Sequence, residues 1–183
     1  MIILASSSPR RQELLTMAGI DYTCIPSDAA EIVPDDIPAA SVPEYLAVLK
    51  AKAVFQNHPE DIIIGSDTIV VIDDTILGKP KNKEDAFSML RMLSGRTHTV
   101  YTGVAILSPK GRDSFTSSTE VTFYDLTDTE IREYIETGEP MDKAGSYGIQ
   151  GFGSVLVKEI HGDYFTVMGL PVAETIRRIR VRN

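Results

Sequence analysis

A carboxylate in the middle of an apolar run is the first feature of this sequence able to do chemistry. Residues 62–80 read IIIGSDTIVVIDDTILGKP, with Asp67 set between the apolar stretches 62–64 and 69–72. Such a run reads as a strand buried on both faces, and an ionised carboxylate is almost never left inside one without a partner. Asp67 therefore needs a cation, a metal ion or a catalytic task. The competing reading makes Gly65-Ser66-Asp67 a bulge or turn with the carboxylate in solvent. Asp73-Asp74 looks like an ordinary hairpin turn with Ile76-Leu77 returning, and Lys79 of Gly78-Lys79-Pro80 is a cation able to swing back toward Asp67.

The second chemical feature is an anion site. Residues 2–5 form a short buried strand, followed by Ser6-Ser7-Ser8-Pro9-Arg10-Arg11 and a helical pattern with Leu14, Leu15 and Ala18 that ends at Gly19. Ser8 is placed as N-cap and Pro9 as the first helical residue. Free backbone N–H groups and the helix dipole there favour negative charge. The same dipole disfavours arginine in a first turn, so Arg10 and Arg11 point to an external polyanion that outweighs the repulsion, or else are two solvated surface residues.

A further cation comes from a helix opening at Pro43 or Glu44 and running to about Asn57. Steps of 100° place Tyr45, Val48, Leu49, Ala53 and Phe55 on one arc with Lys52 in its middle, while Lys50 projects elsewhere. Lys52 then either snorkels to solvent or reaches a buried anion. Residues 26–43, rich in Pro, Asp and Glu, read as a loop; its Glu31 matters only if the loop folds toward Asp67. Residues 138–153, GEPMDKAGSYGIQGFG, form a glycine-rich loop of the kind that lets backbone approach a ligand, and carry Asp142, Lys143, Tyr147 and Gln150.

The remaining elements hold these groups in place. Asn82 caps a helix with Phe87, Leu90 and Leu93 that closes at Gly95. Residues 99–108 and 114–124 read as strands joined around Pro109-Lys110-Gly111. Thr127 and Glu130 form a capping box, with Leu126 and Ile131 as a hydrophobic staple. Residues 154–160 and 164–168 read as a last hairpin around His161-Gly162-Asp163. Leu170-Pro171 opens a closing helix whose basic tail suits a helix C-terminus.

Composition narrows the function. A chain of 183 residues fits one domain, 1–183, with a real core. Its net charge of -8 argues against a broad nucleic-acid surface. The histidines His58, His98 and His161 lack metal-ligand spacing. No apolar run reaches membrane-spanning length and the start lacks the pattern of a signal peptide. The single cysteine, Cys24, fits a reducing cytoplasm and reads as a small apolar residue rather than a nucleophile.

Taken together, ASSSPRRQELL (5–15), GSDTIVV (65–71), GKP (78–80), SGRTHTVYTGVA (94–105) and the loop 138–153 resemble the Maf family of nucleoside triphosphate pyrophosphatases along essentially the whole chain. The resemblance implies an α/β fold with an elongated, twisted mixed sheet flanked by helices, in two lobes with a cleft, as in inosine triphosphate pyrophosphatases. It implies cleavage between the α and β phosphates, assisted by a divalent cation (Mg²⁺, Mn²⁺ or Co²⁺). By the same resemblance Asp67 is proton acceptor, Ser6, Ser8, Arg10 and Arg11 bind phosphate, Lys52 and Lys79 are catalytic cations, and Asp67 and Glu31 hold the metal. Thr68 and Gln150, with no tryptophan in the chain, match the subgroup acting on dTTP, UTP and modified pyrimidine nucleotides; the sister subgroup prefers 7-methyl-GTP. The family is also associated with inhibition of septum formation, which keeps a regulatory or binding role as the alternative. The implied partner is a small nucleotide, with no nucleic acid and no membrane, and a homodimer is compatible with the sequence.

Overall fold

Apolar runs mark β1, the second half of β3 and the end of β5 in this protein, of which a computed structural model describes residues 1–182. The elements in chain order are β1 (Ile2–Leu4), α1 (Pro9–Met17), β2 (Thr23–Cys24), α2 (Val42–Phe55), β3 (Ile62–Ile72), β4 (Thr75–Leu77) and α3 (Lys83–Leu93). They continue with β5 (Thr97–Ser108), β6 (Gly111–Phe123), α4 (Asp128–Glu136), β7 (Val157–His161), α5 (Tyr164–Met168) and α6 (Val172–Arg182). The seven strands form one mixed sheet in the order β2-β1-β3-β5-β6-β7, with β4 paired to β3. β1 runs parallel to both β2 and β3, whereas β3–β4 and β6–β7 are antiparallel. Helices flank this sheet, which is the α/β class that the resemblance implies.

The chain divides into two compact units. The first comprises Met1–Thr68, Thr102–Ser117 and the chain from Gly169 on; the second comprises Ile69–Tyr101 and Ser118–Met168. In the first unit, Ile3, Ala5, Ala47, Ala51, Ile63 and Ala105 share a core. The second is built on Val70, Leu90, Val100, Phe123, Ile131 and Tyr147.

Local rules account for most element ends. Asn82 caps α3 through its side chain, which accepts from the Asp85 amide at 2.9 Å. The capping box of α4 is complete: Thr127 accepts from Glu130 N–H at 3.2 Å, and the Glu130 carboxylate accepts from Thr127 N–H at 2.7 Å. Asp73 and Asp74 both have positive φ, 48° and 59°, the signature of a tight hairpin turn. Gly65-Ser66-Asp67 is not a turn; it lies within the unbroken strand β3.

Two local expectations are corrected. Residues 164–168 form helix α5 rather than the return strand of a hairpin, because the Asp163 carboxylate accepts from the amides of Phe165 and Thr166 at 3.3 and 3.0 Å and so starts a helix. The arc of α2 is also different. Its buried residues are Val42, Pro43, Leu46, Ala47, Ala51 and Val54, not the row of larger side chains.

Glycine explains that choice of face. A Cβ at Gly65 would lie 2.2 Å from the Ala47 carbonyl oxygen, and one at Gly103 would lie 2.1 Å from the Glu44 nitrogen. The sheet offers bare backbone at these points, and the helix meets it with Ala47 and Ala51 at Gly65 and with the backbone of Pro43 and Glu44 at Gly103, so the two pack at a separation that larger residues forbid. Gly65→Ala is therefore expected to cost about 3 kcal/mol through overpacking. The matching loss in a thermal melt is about 6–12 °C for a domain of this size; an unchanged melting temperature would rule out this contact.

Candidate active site

The β1–α1 loop is closed by its own hydroxyls. Pro9 occupies the first helical position and Ser8 has extended backbone (φ -64°, ψ 117°), but the Ser8 side chain makes no capping bond. Instead the buried hydroxyl of Ser6 accepts from Ser8 N–H at 3.2 Å and from Arg11 Nη1 at 3.1 Å. Cys24 donates to the Ser6 carbonyl, and burial pushes its thiol up, which keeps it protonated and inert.

Arg11 is held through all three nitrogens of its guanidinium. Nε donates to the Gly169 carbonyl at 2.8 Å and Nη2 to Thr68 Oγ1 at 3.2 Å. Thr68 Oγ1 is in turn 2.8 Å from the buried Thr102 Oγ1. The Ser66 hydroxyl, fully buried on the same strand, lies between the carbonyl oxygens of Gly169 (2.9 Å) and Gly103 (3.1 Å). Burial pulls the Arg11 guanidinium below its ordinary value; the carboxylate of Asp67 and, less strongly, that of Glu31 push it back up, against Arg10, which lowers it. Arg10 and Arg11 thus share one field with both acids.

Asp67 sits mid-strand with its side chain 14% exposed, and its partner is Lys50, whose ammonium is 2.6 Å from Oδ1 and equally enclosed. The same ammonium is 3.1 Å from Glu31. The loop 26–43 does fold toward Asp67, and one lysine bridges the two carboxylates. That lysine is not the one expected. Lys52 is exposed, whereas Lys50 lies one turn after Leu46 and one before Val54 on the buried face. The arc drawn through the bulky residues placed the helix roughly half a turn off at 100° per residue, because the intimate face carries Ala47 and Ala51.

Among the described residues no group of three or more His, Cys, Asp or Glu side chains could hold a metal ion. Asp67 and Glu31 do converge on one cationic position, the Lys50 ammonium. Two carboxylates are the usual protein share for a magnesium-like ion, which takes its other ligands from phosphate and water. The donor pair fits such an ion.

Lys79 and Gln150 belong to the second unit. Lys79 is exposed in the segment after β4, and Gln150 is half-buried just before a short 3₁₀ turn, Gly151–Val155. The glycine-rich loop around Gln150 is organised by a carboxylate that sequence reading passed over. Glu139 accepts from the amides of Phe152 (2.9 Å) and Gly153 (3.0 Å) and from the Tyr134 hydroxyl (2.9 Å). Gly151 has φ 72°, and a Cβ there would meet Glu139 Oε2 at 2.6 Å. Below the loop, Tyr147 and His98 share a buried 2.7 Å hydrogen bond, and desolvation lowers His98 to about 4, so its ring is neutral.

A model of the Maf-like protein family matches residues 1–181. The chain belongs to the Maf family. Among curated Maf relatives, a dTTP/UTP pyrophosphatase of a Geobacillus species is 52% identical, covering 98% of this chain and 96% of its own length. One from Bacillus pumilus is 51% identical over 96% and 93%. Two solved structures share the fold at low identity. The Ham1 protein of Staphylococcus aureus has a TM-score of 0.52 and 17% identity, covering 85% of this chain and 79% of its own. The HAM1 protein of Coxiella burnetii has 0.51 and 14%, over 100% and 98%.

For this Maf chain, Ser6, Arg11, Glu31, Asp67 and Thr68 come together in the first unit, and Lys50 replaces Lys52 among them. Ser66, Thr102 and the Gly169 carbonyl were not legible as site groups. A hydroxyl next to Asp67 carried no pattern of its own, and a carbonyl carries none at all. Lys50 did have a signal: Ala47 and Ala51, four apart, mark a face for close approach to glycine, and Lys50 adjoins it.

Proposed function

We infer that this chain hydrolyses nucleoside triphosphates, dTTP and UTP foremost, to the nucleoside monophosphate and pyrophosphate. The observation that carries this reading is the Lys50–Asp67 pair at 2.6 Å, enclosed in the same unit as the half-buried Arg11. Its weight comes from the family and from the names of relatives at 52% and 51% identity.

The chemistry uses each group for what its charge allows. A triphosphate carries about four negative charges, and an acidic protein must focus cations locally to bind it. Arg10 and Arg11 offer planar forks to phosphate oxygens, while Lys79 acts as a point charge; Ser6 and Ser8 line the loop at the helix N-terminus. Asp67 accepts a proton from the attacking water. Lys50 fixes the Asp67 carboxylate in orientation, whereas the sequence reading made Lys52 a cation for the phosphates. The water oxygen bonds to the α-phosphorus, the bond from that phosphorus to the bridging oxygen breaks, and pyrophosphate leaves with the bond's electron pair. Asp67 and Glu31 would hold a divalent cation, which supplies charge neutralisation at the phosphate oxygens. Gln150 offers an acceptor and a donor on one side chain, matching N3–H and a flanking carbonyl of uracil or thymine, and the small Thr68 leaves room where a tryptophan would stack.

The test is a product assay in ¹⁸O-water with a nucleotide panel and Mg²⁺, Mn²⁺ or Co²⁺. UTP and dTTP are expected to give equal amounts of monophosphate and pyrophosphate, with the label in the monophosphate. Orthophosphate with a diphosphate, or label in pyrophosphate, would refute the reading.

A further inference from the structure

We propose that the hydroxyl of Thr68, together with the backbone carbonyl of Gly169, is a positioning element for Arg11, so that this hydroxyl serves the phosphates of the substrate, while the small size of the side chain is what matters to the base. The inference rests on the triphosphate reading above and assigns Thr68 a part which that reading does not.

A guanidinium has five N–H donors. In Arg11 three are taken, by Gly169 O at 2.8 Å, Ser6 Oγ at 3.1 Å and Thr68 Oγ1 at 3.2 Å. One hydrogen remains on each terminal nitrogen, the number a bidentate contact to a phosphate requires. The partners are a carbonyl and two hydroxyls, all neutral. They fix the plane of the group without cancelling its charge.

Other arginines of the chain are treated differently. Arg178 pairs with Asp113 and Glu174, Arg96 with Asp73 and Arg91 with Asp128. An arginine that serves structure is neutralised by a carboxylate, whereas Arg11 is half-buried, held by dipoles and left cationic. Burial of that charge has a cost, and an incoming polyanion offsets it.

The clamp is built to close tolerance. Gly169 has φ 109°, and a Cβ there would lie 3.3 Å from Thr68 Oγ1 and 3.4 Å from Arg11 Nε. A side chain at 169 is therefore excluded by the backbone conformation and by the bond it would crowd. Because Thr68 Oγ1 accepts from Arg11, its own hydrogen is available to Thr102 Oγ1 at 2.8 Å. The Thr68 hydroxyl is thus engaged on both sides by protein.

The test uses Thr68→Val, which keeps shape and removes the hydroxyl, with Thr68→Ser and Arg11→Ala. Readouts are kcat/KM on UTP, dTTP and a purine triphosphate, and the binding of inorganic tripolyphosphate, which has no base. Thr68→Val is expected to lower kcat/KM on all three nucleotides by one common factor, roughly 10–100-fold, the scale of a lost hydrogen bond to a charged group. Tripolyphosphate binding weakens with it, Thr68→Ser restores both, and Thr68→Val adds nothing on top of Arg11→Ala, as a complete coupling in a double-mutant cycle requires. Thr68→Ala reads the same way if Thr68→Val does not fold. A changed ratio of UTP to purine turnover with tripolyphosphate binding intact would overturn the proposal, as would additive losses in the double variant. Parent protein that hydrolyses no triphosphate, yet loses tripolyphosphate binding on Thr68→Val, would sink the reading of function and leave the clamp standing.

Discussion

Lys50→Ala is expected to lower turnover of UTP or dTTP by about 10²–10³-fold, the scale of one lost electrostatic contact in a preorganised site, while Lys52→Ala stays near the parent. The contrast follows from placement. Lys50 is 14% exposed with its ammonium 2.6 Å from Asp67 and 3.1 Å from Glu31, whereas Lys52 is an exposed residue two positions along the same helix. Removing Lys50 leaves Asp67 without the cation that orients it and leaves two carboxylates facing each other. Lys50→Arg retains the charge but cannot fit its larger planar head between the same oxygens, so it is expected to recover only part of the loss. Steady-state kinetics on the three variants checks this, and equal losses at Lys50 and Lys52 would mean that neither acts through Asp67.

The same pair of lysines shows where sequence reasoning stops. Strands and caps are legible because their rules are local: an apolar run for β3, an asparagine before α3, a threonine and glutamate three apart for α4. The position of Asp67 inside a buried strand was legible for the same reason, since a charge in an apolar run is an anomaly in one dimension. The face of α2 was not, because which side of a helix turns inward depends on what it meets. Large side chains usually mark the core, but here Gly65 and Gly103 remove side chains from the sheet and admit the helix by its alanine face. Tyr45, Val48 and Leu49 are half-buried as a result, and Lys50 is carried inward. The turn after His161 failed differently: Asp163 closes hydrogen bonds within its own three residues, which outweighs the apolar alternation that suggests a strand. The Arg11 clamp lies beyond any local rule, since it joins residues 6, 11, 68 and 169 and one of its acceptors is backbone.

Asp67→Asn is expected to have the largest effect on activity and little on folding. Asparagine keeps the shape, and its carbonyl oxygen can still accept from the Lys50 ammonium, which also retains Glu31 at 3.1 Å. The melting temperature should stay close to the parent, because the ion pair is solvent-reachable at 14% exposure of each side chain and a second carboxylate remains. Activity has no such reserve. An amide cannot take the proton of the attacking water, and loss of a positioned base costs roughly 10²–10⁴-fold. It also removes one of the two anionic donors for a divalent cation, so the metal requirement rises as well. Glu31→Gln separates the two contributions. Glu31 is 52% exposed and pairs only with Lys50 among the contacts described, so its loss should raise the metal concentration needed for half-maximal rate while leaving the rate at saturating metal much less affected. Asp67→Asn should remain slow however much metal is added. Measuring rate against Mg²⁺ or Mn²⁺ for both variants decides between base and ligand: full recovery of Asp67→Asn at high metal would make Asp67 a metal ligand alone, and the proton would then have to leave by another group.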